Sequence, residues 1–162
     1  TQGMQPIAGY NYGAMKLDRL MKVLNLAVVA GTCITTIGFL VAEFIPEECA
    51  RLFTTDEQLI ALSVNGLRIM MAAFVFVGSQ MVIANFFQSI GKAKVSMFLS
   101  LSRQMIFLLP MLLLLPLFMG VDGIWWAMPI SDLIAECVAV ALMAAYMKKF
   151  KEQHKMIANG EQ

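Results

Sequence analysis

Three charged side chains lie inside long apolar stretches of this sequence: Arg103, Asp132 and Glu136. A charge within the hydrocarbon of a membrane is costly, so such residues usually face a bundle interior or a cavity, pair with each other, or carry protons and ions. Asp132 and Glu136 are four residues apart and therefore share one face of a helix. This pattern favours ion pairing and proton exchange over covalent catalysis.

Each charge has more than one interpretation. Arg103 lies about eight residues into its stretch, ~12 Å deep, and Glu136 falls ~9–12 Å from the same boundary, so the two could form an ion pair. Arg103 could instead extend its guanidinium group to the membrane surface. Asp132 could cap backbone groups freed by Pro129, or transfer protons. Glu136 has no comparable structural role and is our preferred proton-exchanging residue, because burial disfavours a charged carboxyl group.

A second set of polar side chains lies upstream, in the stretch that contains Gln80 and Gln88. These two amides could hydrogen-bond a substrate or, as is usual in membranes, a neighbouring helix. Methionine-rich and aromatic walls suit promiscuous binding. The candidate pathway residues are therefore Gln80, Met81, Phe87, Gln88, Arg103, Asp132 and Glu136.

Four apolar stretches must position these side chains, at about 23–45, 67–90, 95–118 and 124–147. Each reaches the roughly 20 residues that a helix needs to cross a bilayer. Helices are expected because lipid offers no partners to backbone polar groups. The sequence therefore predicts an all-α integral membrane protein, a helical bundle with four full transmembrane helices. Pro110 and Pro116 predict a kink in the third.

The basic residues predict the orientation of these helices. Lys and Arg concentrate in cytoplasmic loops, and nine of the 12 in this chain fall on one side of an alternating topology. They are Lys16, Arg19, Lys22, Lys92, Lys94, Lys148, Lys149, Lys151 and Lys155. We therefore expect a multi-pass protein of the cell inner (plasma) membrane, with residues 148–162 as a polar cytoplasmic tail in which His154 is solvated.

Composition argues against several other classes of function. The net charge is +1 and no basic, aromatic stripe is present, so no nucleic-acid partner is expected. The three cysteines are scattered and two lie in apolar runs, so we expect neither a disulfide framework nor a metal site. No catalytic motif accompanies Asp132 and Glu136, so we do not expect an enzyme.

Five segments carry a resemblance to a known family: "GMQPIAGYNYGA", "RLFTTDEQLI", "FFQSIGKAK", "LSLSRQMIFLLP" and "GVDGIWWAMPISDLIA". In this order and spacing they resemble the multidrug and toxic compound extrusion (MATE) family, with residues closest to those of its bacterial DinF-like branch. The resemblance implies a transporter of twelve helices in two lobes of six. It places this chain in the C-terminal lobe, from the end of the eighth helix onward: residues 1–147 would be a partial lobe whose N-terminal partner lobe is missing.

The resemblance also implies a function. Members are secondary antiporters that work by alternating access and need no cofactor, so the implied substrates are small cationic drug-like compounds exchanged for protons or sodium. Sodium-coupled relatives have an acid on the helix that corresponds to "FVFVGSQMVIANFF"; this segment has none, which favours protons. Two alternatives stay open. One is a lipid-linked oligosaccharide flippase of the same superfamily, which should need more cations than Arg103 alone; the other is a non-transporting membrane assembly subunit.

The opening motif has a structural and a ligand-binding interpretation. Small residues allow close helix approach and aromatic residues favour the membrane interface, so packing is the favoured role. Proline would loosen the backbone, and the amides and tyrosines could bond the freed groups or a ligand. The residues concerned are Gly3, Gln5, Pro6, Gly9, Tyr10, Asn11, Tyr12 and Gly13.

The connection after the first span is expected to contain two helix starts. Pro46 can open a short helix with Glu47 and Glu48 in its first turn, where acids are favoured. Thr54 or Thr55 is the expected N-cap of the next helix.

Overall fold

The computed structural model describes residues 2–158, and within them the side chains at 154, 155, 157 and 158 are excluded. The expected solvated His154 therefore lies outside the described side chains, as do residues 159–162 of the predicted tail. The described chain is helical throughout, with short connections. Its helices are α1 (Met4–Gly13), α2 (Leu17–Phe44), α3 (Pro46–Arg51), α4 (Glu57–Met71), α5 (Phe74–Ser89), α6 (Ala93–Leu101), a π-helical segment (Ser102–Leu108), α7 (Leu109–Met119) and α8 (Val121–Ala158).

Three stretches are each long and apolar enough to cross a membrane: Leu17–Phe44, Ala93–Met119 and Val121–Gln153. A fourth passes only if α4 and α5 form one broken span, because their axes are bent by 48°. The second predicted span, a single helix at 67–90, is therefore wrong in shape: Ala72 and Ala73 separate two helices. Bending within a span sets α5 at its own angle against α2 and α8.

The N-cap of α4 also differs from the prediction. Asp56 adopts extended backbone geometry and accepts hydrogen bonds from the backbone N–H groups of Gln58 (2.9 Å) and Leu59 (3.4 Å). Thr54 Oγ1 instead accepts from the N–H of Asp56. A carboxylate gains more than a hydroxyl at this position, because it also opposes the positive end of the helix.

The third span is distorted near its prolines. The π-helical segment runs up to Leu108, and Pro110 follows at the start of α7, where a continuous helix lacks the hydrogen bond of the missing N–H. Pro116 lies inside α7. A π-helical turn shifts the register of the side chains that follow it. Arg103 lies within this segment.

Helices α2 and α5 pack closely where they cross. A Cβ atom on Gly78 would come within 2.5 Å of the Gly31 carbonyl oxygen, so only glycine fits. Thr35 strengthens the crossing, since its Oγ1 lies 3.1 Å from the carbonyl oxygen of Val75. Towards the other end of α5, the fully buried rings of Phe86 and Phe87 form the centre of the apolar core.

Candidate functional site

Three elements bring the predicted charged residues together. Arg103 comes from the π-helical segment, and Asp132 and Glu136 come from one face of α8. Residues 79–81 of α5 lie against the same region: Ser79 contacts Glu136, and Gln80 and Met81 share a cavity with Arg103. A polar cluster therefore forms where α5, the π-helical segment and α8 meet.

Arg103 pairs with Asp132. Arg103 Nε donates to Asp132 Oδ1 at 2.8 Å, and the two side chains are 31% and 11% exposed. The hypothesis that Arg103 pairs with Glu136 is therefore wrong. Asp132 lies one turn earlier on α8 than Glu136, and an estimate of depth along two ideal helices does not tell which of two carboxyl groups one turn apart the guanidinium group reaches.

The ion pair also rules out the two structural roles considered for its members, a backbone cap at Asp132 and extension of Arg103 to the membrane surface. α8 runs continuously through Pro129, and it is Ser131 Oγ that donates to a nearby carbonyl, that of Met128, at 2.8 Å. Asp132 therefore does not cap the backbone there. Arg103 is committed to a carboxylate inside the bundle, so its charge is neutralised locally.

Glu136 has a different partner. Its Oε1 lies 2.6 Å from Ser79 Oγ on α5, while its Oε2 is buried and has no hydrogen-bond partner among the described residues. Ser79 Oγ also lies 2.8 Å from the carbonyl oxygen of Phe76. A hydroxyl group has one proton to donate, so Ser79 cannot donate to both oxygens.

Gln80 is the most unsatisfied side chain in the cluster. It is 4% exposed, and neither its Oε1 nor its Nε2 has a partner in the described part of the chain. It lines a cavity of about 260 Å³ together with Met81, Arg103 and Gln104. An unmade hydrogen bond at a buried polar group costs roughly 1–3 kcal/mol, so this amide is suited to a polar molecule that enters the cavity.

The remaining candidate pathway residues lie in different environments. Met81 lines this cavity and also a larger apolar one of about 500 Å³ between α1, α2 and α5. Phe87 is 1% exposed and packs edge-on against Tyr146 with ring centroids 5.4 Å apart, so it belongs to the core and not to a pathway. Gln88 is exposed near the end of α5. Neither Asp132 nor Glu136 lines the 260 Å³ cavity; both lie in the protein around it.

The opening motif forms α1, and part of it packs as expected. A Cβ atom on Gly9 would come within 3.0 Å of the Ser89 carbonyl oxygen, and Gln5 Nε2 donates to Asn85 Oδ1 at 3.3 Å. The Tyr12 and Tyr146 hydroxyl groups lie 2.7 Å apart. The expected close approach is absent at Gly3 and Gly13, where a Cβ atom would meet nothing within 4 Å in the described structure.

Three other motif residues have local roles. Asn11 Nδ2 bonds back to the carbonyl oxygen of Ile7 at 2.8 Å, inside its own helix. Tyr10 is 68% exposed, in keeping with a residue at the membrane interface. Pro6 lies in the first turn of α1, where it breaks no helical hydrogen bond.

Sequence reasoning missed Ser79 and the glycine crossing. Ser79 is one small polar residue among apolar ones, and only its contact with Glu136 gives it a role. Gly31 and Gly78 are far apart in sequence, so no local pattern pairs them. Their one signal was that each is a glycine inside an apolar span, where small residues favour helix contact.

Comparison with known proteins decides the family. The family model MatE matches residues 1–114, well over half of the chain. The chain belongs to the MatE family. As a member it is a multi-pass membrane protein whose relatives are named as exporters and transporters rather than enzymes. Assignment to the DinF-like branch remains a prediction.

Individual members of the family match over most of this chain. The multidrug export protein MepA of Staphylococcus haemolyticus (strain JCSC1435) is 23% identical over 150 residues, which is 90% of this chain and 31% of that protein. A structure described as the inward-facing conformation of a multidrug resistance MATE family transporter of the MOP superfamily aligns at a TM-score of 0.86 and 19% identity, over 92% of this chain and 35% of that one. The corresponding outward-facing structure gives 0.85 and 18%, over 92% and 34%. The chain therefore spans about a third of the length of the MatE proteins it matches.

Proposed function

We propose that this chain is part of a secondary multidrug efflux antiporter that exports cationic amphipathic compounds in exchange for protons. It would act in the cell inner membrane with its C-terminus in the cytoplasm, completed by an N-terminal lobe of six helices. The MatE membership and the name of the staphylococcal relative support multidrug export. Proton coupling is argued from the polar cluster.

The hydrogen-bond count at Ser79 carries the proposal. If Glu136 is protonated, its O–H donates to Ser79 Oγ, and Ser79 donates its own proton to the carbonyl oxygen of Phe76. Every proton then has one acceptor at the distances of 2.6 and 2.8 Å. If Glu136 is ionised, one of these contacts loses its proton, and a buried Oε2 without a partner must hold negative charge. The geometry therefore fits a carboxyl group that holds a proton in this conformation.

Release of that proton would give the bundle a negative charge that nothing else balances. Arg103, the cation of the polar cluster, is already bonded to Asp132. A cationic substrate in the cavity beside Gln80 would supply the missing positive charge, and Gln80 Oε1 could accept a hydrogen bond from it. The proton and the cationic substrate would thus compete to neutralise the Glu136 carboxylate, and antiport requires such competition.

Likeness to an inward-facing and to an outward-facing structure of MATE transporters is consistent with alternating access. This part of the lobe aligns almost equally well with the inward-facing and outward-facing structures. A lobe that keeps its internal fold can rock as a unit against its partner, as in other transporters built from repeats.

The test is the variant Glu136→Gln, which imitates the protonated carboxyl group. Expressed from its gene in drug-sensitive cells, it should lose proton-driven export of a cationic dye such as ethidium. Asp122→Asn is the matched control: the same change of acid to amide, on the same helix, at an exposed position. It should export normally. Full export by Glu136→Gln would refute proton coupling at this residue.

Infrared spectroscopy tests the same point without a transport assay. The C=O stretching band of a protonated carboxyl group should be present in membranes that contain the unaltered protein near neutral pH. It should vanish in Glu136→Gln and persist in Asp132→Asn. If the band vanishes in Asp132→Asn instead, the proton belongs to Asp132, and our assignment of it to Glu136 is wrong.

The two alternatives have distinct signatures. An anionic, lipid-linked substrate needs uncompensated cations inside the bundle, yet Arg103 is neutralised by Asp132. A non-transporting subunit predicts that no export depends on either variant. Sequencing upstream of Thr1 separates this from antiport, since an open frame that encodes six further apolar spans would supply the other lobe.

A further inference from the structure

A basic cavity lies at the junction of α1, α2 and the end of α8, away from the polar cluster. Its volume is about 670 Å³. Its lining contains the cations Lys16, Arg19, Lys22 and Lys151. The acid Asp18 and the apolar side chains of Met15 and Leu17 complete it.

Tertiary contacts assemble this cavity from the two ends of the chain. Tyr12 stacks on Phe150 with ring centroids 5.0 Å apart, and its hydroxyl group lies 2.7 Å from that of Tyr146. These contacts hold the end of α8 against α1. Lys151, which follows Phe150, is thereby brought to the α1–α2 turn and to Lys16.

The positive charge of the cavity is left uncompensated. Four cations face one carboxylate, and the ion pairs within the described residues involve Arg51, Arg68 and Arg103 only. All four cationic side chains are exposed. Like charges gathered in one concave surface raise the local potential and attract anions.

The position of the cavity indicates where its anion comes from. α2, which is long and apolar enough to cross a membrane, begins at Leu17, and its apolar stretch begins at about residue 23, directly after Lys22, which lines the cavity. One side of the cavity is therefore at the edge of the hydrocarbon while the cations face the headgroup layer. A soluble anion would gain nothing from contact with the apolar side chains of Met15 and Leu17, whereas a phospholipid presents a phosphate next to its acyl chains. Basic pockets at the cytoplasmic ends of membrane helices are suited to anionic lipid headgroups.

We infer that this cavity binds the phosphate headgroup of an anionic phospholipid. Lys16, Arg19, Lys22 and Lys151 contact the phosphate, while Met15 and Leu17 contact the start of the acyl chains. The lipid would link the α1–α2 turn to the end of α8. This inference is independent of drug export and of the proton at Glu136.

The first test compares two variants of equal charge. The cavity variant carries Lys16→Gln, Arg19→Gln, Lys22→Gln and Lys151→Gln. The control carries Lys92→Gln, Lys94→Gln, Lys148→Gln and Lys149→Gln, which removes four cations from the same predicted side of the membrane but none from the cavity. Native mass spectrometry of the full chain, released from nanodiscs of mixed phosphatidylglycerol and phosphatidylcholine, measures the retained lipid.

The unaltered chain and the control should retain phosphatidylglycerol preferentially, and the cavity variant should lose that preference. Each basic residue near an anionic headgroup contributes roughly fivefold in affinity, so the cavity variant should fall at least about tenfold below the control. Equal losses in the two variants would overturn the inference in favour of diffuse surface charge. Displacement of the bound lipid by millimolar inorganic phosphate would overturn the choice of a lipid.

A second measurement needs no variant and so does not depend on how a variant folds. A water-soluble, amine-reactive reagent is applied to the unaltered chain in vesicles of phosphatidylglycerol or phosphatidylcholine. Lys16, Lys22 and Lys151 should be protected by phosphatidylglycerol more than Lys92 and Lys94 are. The same degree of protection at all five lysines would contradict a specific site.

Discussion

α8 makes two polar contacts one helical turn apart, and they are of opposite character. Asp132 faces the guanidinium group of Arg103, whereas Glu136 faces the hydroxyl group of Ser79. Both carboxyl groups lie on one face of one helix at comparable depth. The neighbouring element supplies the difference, a permanent cation in one case and a neutral hydroxyl group in the other. The first contact compensates a charge on α8, and the second is where we propose that a proton is held.

The largest loss of stability is expected when the contact between Arg103 and Asp132 is removed. Asp132→Asn keeps the shape of the side chain but leaves the partly buried Arg103 without its counter-charge. Loss of one member of a buried pair costs about 3–5 kcal/mol, and the partial exposure of Arg103 favours the lower end, about 3 kcal/mol. Thermal or chemical unfolding in detergent micelles measures the change.

The exposed Asp122 provides the control for this prediction. Asp122→Asn should cost no more than about 0.5 kcal/mol, the usual value of an acid in an exposed first turn of a helix. The double variant Arg103→Met, Asp132→Leu should recover most of the loss, because it removes both charges together. A double variant that is less stable than Asp132→Asn would show that the charge itself was not the cause.

An intermediate effect is expected at the second contact. Ser79→Ala removes the hydroxyl group that contacts Glu136 Oε1 and, under our proposal, leaves a partly buried O–H without an acceptor. We expect a loss of about 1–2 kcal/mol in the free energy of unfolding. Ser100→Ala, an exposed serine in the adjoining helix, should change it by less than about 0.5 kcal/mol. Equal effects at the two serines would mean that the hydroxyl group of Ser79 has no role in stability.

The smallest change in stability is expected for Glu136→Gln, and it distinguishes the two contacts most directly. Glu136→Gln is the same chemical change as Asp132→Asn, four residues further along the same face. A protonated carboxyl group is already neutral, and the amide can donate to Ser79 Oγ in its place, so stability should change by less than about 0.5 kcal/mol. The unfolding measurement used for Asp132→Asn applies here too. A loss close to that of Asp132→Asn would show that Glu136 is charged and would place both contacts in one class.

The difference between the two contacts could be predicted only in part. The sequence indicated that Arg103 had a carboxylate within reach on α8, but it favoured Glu136, because depth was estimated along ideal helices. Depth does not give the direction in which a side chain points from its helix, and in the structure Arg103 contacts Asp132. Phe87 was placed in a pathway for a similar reason: an aromatic residue in a span has the same local pattern whether it faces a cavity or the core.

The order of residues along the chain is enough to predict a membrane environment and the family. Long apolar runs require a membrane and helices, since lipid leaves backbone groups no other partners. The ordered segments from Gly3 to Ala135 indicated the MATE family, which the MatE match confirms. Both are properties of the chain read in order, so they do not depend on which helices touch.

Which side chains contact each other follows from the packing of the helices. Ser79 and Glu136 are joined because α5 crosses α8, and Lys151 reaches Lys16 because Tyr12 stacks on Phe150. These contacts depend on the bend between α4 and α5 and on rotation of each helix about its axis. A shift of one residue rotates a helical side chain by about 100°, so small local breaks redirect every later side chain. Sequence periodicity gives the faces of a helix, and packing alone chooses what each face meets.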